Sequence, residues 1–285
     1  MDLDLDRMLE SVKAGQWSID QLDWSVPLAG ADRLDARTKR EAGLALVFTA
    51  RLERQAARIF ALASEHADDP RAAAIYQFFA IDERRHADAE VLLAQRYGVT
   101  ETDLPKPLHW AMKVLESNFD EPNTALHEMS SASIILFELA LDSLLVPSLK
   151  DLTDDALQAR VFRLIDLDES RHLAMDYWLL DRKGEIYQGR DARAILTGGA
   201  SPGFVERMRG KWKLYRTLLA LFTAFGTTTV TMPVMRKAAE GGRMDRYLAR
   251  VAAIPKKAPH ALELATFRMA LGGQRRVLSL MGKLS

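Results

Sequence analysis

The pattern Asp-Glu-x-Arg-His occurs twice in the sequence, at residues 82–86 and 168–172. A lone glutamate precedes the glutamate of the first copy by 30 residues and that of the second copy by 31. In a helix, the Glu and His of each copy share one face. Four carboxylates and two imidazoles can hold two divalent cations, and mixed oxygen and nitrogen donors suit iron or manganese. The candidate metal-binding and catalytic residues are Glu53, Glu83, His86, Glu138, Glu169 and His172.

The other residues of the two copies can support such a site. A metal-bound histidine usually donates its second ring N–H to a carboxylate, and Asp82 and Asp168 are available for that role. Arg85 and Arg171 can pair with these aspartates and offset buried negative charge. A single Glu-x-x-His is usually a surface pair, so the prediction depends on the duplication. The competing interpretation is a buried ion-pair network without metal.

The sequence predicts an all-α fold, because apolar residues recur at helical spacing and no strand pattern competes. Asp69 is the expected N-cap of the second long helix and Pro70 its first residue. Shorter helices are expected at 4–13 and 109–119. The long helices are expected at about 38–66, 70–98, 121–150 and, after a cap at 153–155, up to about 184.

The spacing of the glutamates agrees with two antiparallel helical hairpins. The midpoint between the first pair is residue 68, and the midpoint between the second pair is 153–154, both inside predicted turns. Residues equidistant from a turn lie at the same height, here roughly 20 Å from it at about 1.5 Å per residue. An unpaired carboxylate at that depth would be costly, and a metal ion removes the cost.

Three parts are predicted: a lead-in at 1–36, a four-helix bundle at 37–184 and a basic helical extension at 185–285 that packs on the bundle. In the extension, 185–201 has loop-like composition. Helices are expected there at 202–225, 232–252 and 258–283.

Composition restricts the chemistry. The chain has no cysteine, which excludes disulfides, thiolate metal sites and an iron–sulfur cluster on this chain, so electrons must come from another molecule. The first ten residues are acidic and contain no apolar segment, so we expect no secretory signal and a cytoplasmic location.

Charge is unevenly distributed although the net charge is zero. The segment from Ser201 onward has 16 basic and 4 acidic residues, which suits an anionic partner, whereas overall neutrality argues against a DNA-binding protein. Residues 217–235 carry no charge and approach the length of a membrane span. Their threonines, with Gly226 and Pro233, favour a buried helix or a dimer surface over insertion.

The duplicated motif over residues 38–183 resembles the ferritin-like diiron-carboxylate superfamily. The similar branch comprises bacterial multicomponent monooxygenases, acyl-carrier desaturases and ribonucleotide reductase small subunits. The resemblance implies a ferritin-like four-helix bundle and reductive activation of dioxygen by two iron ions. It also makes a ferritin-type storage role less suitable.

Two positions depart from this branch. A radical-generating reductase subunit would have a tyrosine one turn after the first motif's histidine, where this chain has Glu90. Many oxygenases of this branch have a threonine one turn after the ligand on the third helix. In this chain that ligand corresponds to Glu138, and the residue one turn later is Asp142. Asp142 can be a proton donor, an additional ligand or the salt-bridge partner of an arginine.

The resulting interpretation is a non-haem diiron oxidoreductase, such as a monooxygenase. Two iron ions, or manganese and iron, would use dioxygen to hydroxylate, desaturate or otherwise oxidise an organic substrate. The apolar residues near the ligands and the basic extension suggest an apolar substrate, or one tethered to an acyl carrier or coenzyme A. A ferredoxin with its reductase would supply electrons, and a homodimer is expected. The alternatives are a manganese–iron ligand-binding oxidase, a tRNA hydroxylase and a non-catalytic metal-storage or metal-sensing protein.

Overall fold

A computed structural model describes residues 3–120, 124–150, 154–197, 203–232 and 242–281. Within these ranges the chain is helical and contains no strand. The helices are α1 (Leu5–Ala14), α2 (Ala36–Glu65), α3 (Pro70–Arg96), α4 (Lys106–Ser117), α5 (Thr124–Ala140), α6 (Val146–Lys150), α7 (Ala156–Ile186), α8 (Ala192–Thr197), α9 (Phe204–Thr231), α10 (Arg243–Ala252), α11 (Ile254–Lys257) and α12 (Ala265–Met281).

Aspartate side chains cap three of the four bundle helices at their first turn. Asp35 accepts from the backbone N–H of Thr38 at the start of α2. Asp69 caps α3, with Pro70 in the first turn, which confirms the predicted helix start. Asp155 accepts from the backbone N–H of Gln158 in α7 at 2.7 Å. Each cap satisfies an amide that the helix leaves unpaired, and so fixes where the helix begins.

The predicted positions of the two hairpin turns agree with the connections that the structure describes. Residue 68 lies in the turn between α2 and α3. Residue 154 lies in the connection before α7, while the expected cap residue Thr153 and the expected helix opening at 121–122 lie outside the described residues.

The third bundle helix is not uniform, contrary to the prediction of one helix to residue 150. After α5, residues Leu141–Leu145 form a π-helical turn, and α6 continues from Val146. The turn starts three residues after Glu138, and π-helical turns inside helices are frequent at functional sites. Hydrophobic spacing did not reveal it, because one extra residue in a turn alters the apolar pattern only slightly.

Apolar clusters lie on both sides of the candidate ligands along the bundle. One cluster, toward the turn between α2 and α3, includes the fully buried Phe60, Tyr76 and Phe79. Another lies toward the opposite ends of those helices and includes Leu46 and Leu93. The candidate residues therefore form a polar layer inside a hydrophobic core, where charge is poorly solvated.

The C-terminal helices pack on α5 and α7 through a third cluster. Tyr247, Ile254 and Phe267 of the extension are buried with Leu139 and Leu180 of the bundle. The segment 185–201, predicted as loop, includes the last residues of α7 and the short α8. Of the predicted helix at 232–252, α10 is described, while residues 233–241 lie outside the described part.

The uncharged segment at 217–235 falls mainly on α9, which packs on α4. Ala220 and Ala224 of this helix are buried, whereas Leu219 is exposed. No helix in the described ranges combines the length and apolar content that crossing a bilayer requires.

Replacing Gly184 by alanine is expected to destabilise the protein by about 1–3 kcal/mol. A Cβ atom at Gly184 would lie 2.1 Å from the carbonyl oxygen of His260, so α7 and the C-terminal segment would have to separate. Chemical denaturation would measure the loss. Gly210→Ala in α9 is the control, because no heavy atom lies within 4 Å of its added Cβ atom. An equal effect of both substitutions would contradict the packing described here.

Candidate metal centre

The six candidate ligands lie together in the middle of the bundle. α2 contributes Glu53, and α5 contributes Glu138. α3 and α7 contribute one Glu-x-x-His each. The exposed fraction of every one of these side chains is 4% or less. Helical periodicity turns each pair inward, and the hairpin geometry brings the four helices to the same height.

The ligand atoms form two overlapping groups that could each hold a metal ion. In each group, one donor atom from every residue lies within 4.8 Å of the others. Both groups contain Glu83 and Glu169, so these two carboxylates lie between the two positions. The first group is completed by Glu53 and His86, and the second by Glu138 and His172.

The carboxylate oxygens of this cluster contact only one another and the two imidazoles, and almost all of them lack a partner elsewhere in the protein. Both oxygens of Glu83, Glu138 and Glu169 are buried without a hydrogen bond, as is one oxygen of Glu53. Buried polar atoms are nearly always paired, and an unpaired ionised carboxylate is especially costly. This many unpaired oxygens in one place indicate a site for cations.

Each imidazole turns Nδ1 toward the glutamates of the cluster and Nε2 toward an aspartate. Nδ1 of His86 lies 3.3 Å from Glu169, and Nδ1 of His172 lies 2.8 Å from Glu83. Nε2 of His86 donates to Asp168 at 2.9 Å. A carboxylate at Nε2 fixes the proton there and leaves Nδ1 free to bind an ion.

The aspartates serve the histidines of the opposite motif. Asp168 of the second copy pairs with His86 of the first, and Asp82 of the first lies 3.5 Å from Nε2 of His172 in the second. The sequence predicted that Asp82 and Asp168 could pair with the histidines, but it did not predict this exchange between the copies. It links α3 and α7 across the bundle.

Two arginines form ion pairs with these aspartates. Arg85 forms an ion pair with Asp82 and a second with Asp168 at 3.3 Å. Arg171 pairs with Asp168. These contacts match the predicted compensation of buried negative charge.

The N-terminal lead-in supplies two contacts that sequence reasoning missed. Trp17 donates its indole N–H to Asp168 at 2.8 Å, and Gln16 donates to Asp82 at 2.9 Å. The Trp17 ring stacks near His86, with centroids 6.4 Å apart. The lead-in thus orients the aspartates that hold the histidines. Nothing in local spacing connects these residues to a motif about 65 or more positions away.

Two further acids, Glu90 and Asp176, were also missed as members of the site. Each follows its motif's histidine by four residues, so the duplication extends one turn further than the five-residue pattern. Both are buried, and none of their four oxygens has a hydrogen-bond partner. The shared offset from His86 and His172 was the available sequence signal. Neither acid belongs to the two candidate metal groups.

Aromatic side chains cover the second histidine. Phe79 lies 4.2 Å from His172 between ring centroids, and Phe60 approaches the same imidazole edge-on at 5.2 Å. Tyr76 packs against both phenylalanines. Together with Trp17 beside His86, these rings close both imidazoles off from solvent.

Burial controls the protonation of the carboxyl groups in this cluster. Burial raises the pKa of Glu83 and Glu138 well above the ordinary value, and the charge of Glu169 adds to the effect. Burial would also raise the pKa of Glu169, but contacts with Glu138 and His172 outweigh it and keep that pKa well below its usual range. Burial raises the pKa of Glu90 well above its usual range and that of Asp176 to about 8.

The two histidines of the cluster also keep their protons, because their pKa values are raised. Burial alone would lower the pKa of His86, but the hydrogen bond to Asp168 and the contact with Glu169 outweigh it and raise the pKa to about 10. For His172, the charge of Glu169 overcomes burial and raises the pKa to about 9. The cluster is therefore a store of protons, which a metal ion would displace on binding.

Asp142 lies in an ion pair with Arg250 of α10, and the same guanidinium donates to the Ser143 hydroxyl at 3.0 Å. Asp142 is in neither candidate metal group. The sequence left three roles open for Asp142, and this contact matches the role of salt-bridge partner to an arginine. The pair joins the π-helical turn to the C-terminal extension.

Comparison with known proteins supports the fold. No protein-family model matches the chain, and no curated protein matches its sequence significantly. Among solved structures, the crystal structure of dimanganese(II)-NrdF from Streptococcus sanguinis is similar, with a TM-score of 0.52 and 14% identity. The similarity covers 93% of this chain and 88% of that one. The chain has the predicted all-α, ferritin-like fold.

Proposed function

We propose that this protein is a non-haem dimetal oxidoreductase that uses dioxygen to oxidise an organic substrate. The observation that carries the proposal is the pair of overlapping ligand groups that share Glu83 and Glu169, whose buried oxygens have no hydrogen-bond partner outside the cluster. Four-helix bundles hold two metal ions in this way, with two lone glutamates and two Glu-x-x-His pairs.

The donor set fits the proposed metals. Four carboxylates balance two divalent cations, and the oxygen-rich shell with one imidazole per ion suits iron or manganese. The absence of cysteine in the sequence leaves no thiolate that would favour softer metals. The description of the similar solved structure as dimanganese(II) supports manganese alongside iron. When bound, such ions supply reversible one-electron chemistry toward dioxygen.

The protein groups around the centre would hold the ligands in position. Asp168 keeps the proton of His86 on Nε2, so Nδ1 presents its lone pair to the ion. Arg85 and Trp17 in turn fix the Asp168 carboxylate. This chain of contacts restrains the imidazole before an ion arrives, which reduces the reorganisation that binding requires.

Glu90 and Asp176 would hold protons next to the centre. Reduction of dioxygen consumes protons, and this buried layer is separated from bulk water by apolar residues. A neutral carboxyl group one turn from each histidine can donate a proton from its carboxyl oxygen and be protonated again later. Their burial and lack of partners favour the neutral form.

Glu90 also argues against a radical-generating reductase subunit. It stands where that function needs a tyrosine, and a carboxyl side chain cannot form a phenoxyl radical. We therefore favour oxidation of a separate substrate, which the sequence suggests is apolar or carrier-tethered. A ferredoxin-type electron donor and a homodimer remain predictions.

Metal stoichiometry tests the centre directly. After anaerobic loading with iron(II) or manganese(II), the wild-type protein is expected to hold about two ions per chain. Glu53→Gln and Glu138→Gln each alter one group only and are expected to retain about one ion. Glu83→Ala and Glu169→Ala remove a shared carboxylate and are expected to retain fewer than half as many ions as wild type. Elemental analysis of the desalted proteins gives the counts.

The exposed Glu185 on α7 provides the matched control. Glu185→Ala is expected to bind as much metal as wild type, because its side chain lies outside the cluster. Less than about half an ion in the wild-type protein would overturn the dimetal proposal. The motifs would then be interpreted as a buried ion-pair network.

Oxygen uptake separates the alternatives once the metal is established. A metal-storage or metal-sensing protein would consume oxygen only during the first oxidation of its ions, whereas an oxidase would sustain uptake with reductant. Metal analysis would identify a manganese–iron ligand-binding oxidase. Salt-dependent RNA binding would favour a tRNA hydroxylase that uses the basic segment.

A further inference from the structure

A cavity of about 580 Å³ lies where the C-terminal extension meets the bundle. Its floor is formed by Leu173, Ala174 and Tyr177, which share one face of α7. Among the described residues that line the cavity there is none of the six candidate metal ligands, so the cavity is distinct from the candidate metal centre. The volume falls within the range of about 300–1,000 Å³ that is usual for small-molecule sites.

The part of the lining that the C-terminal helices contribute is cationic. Arg250 of α10 and the consecutive Lys256 and Lys257 of α11 belong to the lining, which contains no acidic side chain among the residues that the structure describes. Arg250 is already paired with Asp142. In the described part of the chain, no carboxylate lies within ion-pair distance of either lysine. With Arg250 paired, the two lysines give the cavity an excess of about two positive charges.

The floor offers apolar and aromatic surface below these charges. Leu173 and Tyr177 are 8% and 4% exposed, so their side chains are already held by the core. The ammonium of Lys257 lies 4.7 Å from the centroid of the Tyr177 ring. A well-packed apolar floor with cations next to it suits a ligand that combines an apolar body with an anionic group.

We propose that this cavity binds a phosphate monoester that carries an apolar or aromatic body. A phosphate monoester has a charge of about −1.5 to −2 at neutral pH, which balances the two uncompensated lysines. Its oxygens accept charge-assisted hydrogen bonds from ammonium groups, and Arg250 adds guanidinium donors. The apolar body would displace water from Leu173, Ala174 and the Tyr177 ring. A monoanion would leave one lysine charge unbalanced.

The test is isothermal titration calorimetry of the full-length protein with 1-naphthyl phosphate. We expect saturable binding to wild type that weakens at least tenfold in the Lys256→Glu/Lys257→Glu variant. Ala174→Phe, which fills the cavity without changing charge, is expected to weaken binding similarly. Arg246→Glu is the matched control, because Arg246 is exposed on α10 but does not line the cavity. This control is expected to bind as wild type does. Circular dichroism and melting temperature verify that each variant folds.

Two further ligands determine which chemistry is recognised. Inorganic phosphate is expected to bind at least tenfold more weakly than 1-naphthyl phosphate, because it makes no use of the floor. 1-Naphthol is expected to bind more weakly still. Equal binding of 1-naphthol would overturn the role of the cations, and equal binding of inorganic phosphate would overturn the role of the floor. Equal loss in Arg246→Glu would show that general surface charge causes the binding.

The inference does not depend on the metal centre. Binding of 1-naphthyl phosphate is expected to be unchanged in Glu83→Ala, which tests the dimetal proposal separately. Failure of the cavity to bind the ester would therefore leave the proposed oxidoreductase unaffected, and failure of metal binding would leave the cavity unaffected.

Discussion

Loading with manganese(II) or iron(II) is expected to raise the melting temperature of the metal-free protein by roughly 15 °C. An ion present at a thousand times its dissociation constant stabilises the folded state by about 4 kcal/mol, so two ions contribute about 8 kcal/mol. In a protein of this size, each kcal/mol corresponds to roughly 2 °C. Differential scanning calorimetry under anaerobic conditions, with and without metal, measures the shift.

The shared carboxylates are expected to account for most of this shift. Glu83→Gln and Glu169→Gln keep the side-chain volume but remove a negative charge from both ligand groups, so metal should stabilise these variants by less than half as much. Without metal, Glu83→Gln is expected to be at least as stable as wild type, because burial raises the pKa of Glu83 and already favours a neutral side chain at this position.

Glu185→Gln, an exposed substitution on α7, should keep the full metal-dependent shift. The same large shift in Glu83→Gln and Glu169→Gln would place the stabilising ions outside this cluster. The combination of equal or higher metal-free stability with lost metal stabilisation distinguishes a binding site from a structural ion pair.

The stability of the metal-free protein is expected to fall as pH rises from 5.5 to 8.5. Asp176, His172 and His86 have folded-state pKa values of about 8, 9 and 10, all above the ordinary values. The folded chain therefore binds more protons than the unfolded chain in this range. The stabilisation from the histidines is complete below about pH 6.5 and is lost as pH rises through their folded pKa values. Each such group contributes at most about 1.4 kcal/mol per pH unit.

Urea denaturation in the presence of a chelator, at several pH values, measures this slope. Asp176→Asn should flatten it, because the amide does not titrate. Asp88→Asn is the control, since that side chain is 63% exposed on α3. With metal bound, the slope is expected to reverse, because the ligands must lose their protons to bind an ion. A metal-free protein whose stability rises over this range would contradict the proton-store description of the cluster.

The duplicated motif was sufficient to predict the fold class and the meeting of the six candidate ligands. A helix places residues three apart on one face, and distance from a turn determines height in a hairpin, so both facts follow from local spacing. The helix caps at Asp69 and Asp155 could also be predicted, because capping depends on residue types within one turn of the helix start. The assignment of these six residues as metal ligands stays a prediction until ions are counted.

Local spacing also contained one signal that was overlooked. Glu90 and Asp176 follow the two histidines at the same offset, and that agreement could have extended the motif by a turn. Their burial could not have been inferred with the same ease, because acids at such positions are usually solvated.

The tertiary structure alone decided the contacts between segments that are distant in sequence. It paired Asp82 with His172 and Asp168 with His86, and it placed Trp17 of the lead-in on Asp168. It also set Asp142 against Arg250 of the extension. Helical periodicity specifies which face of a helix is buried, but not which other helix it meets. Those partners depend on how four helices and their extensions pack together, and packing is a property of the whole chain.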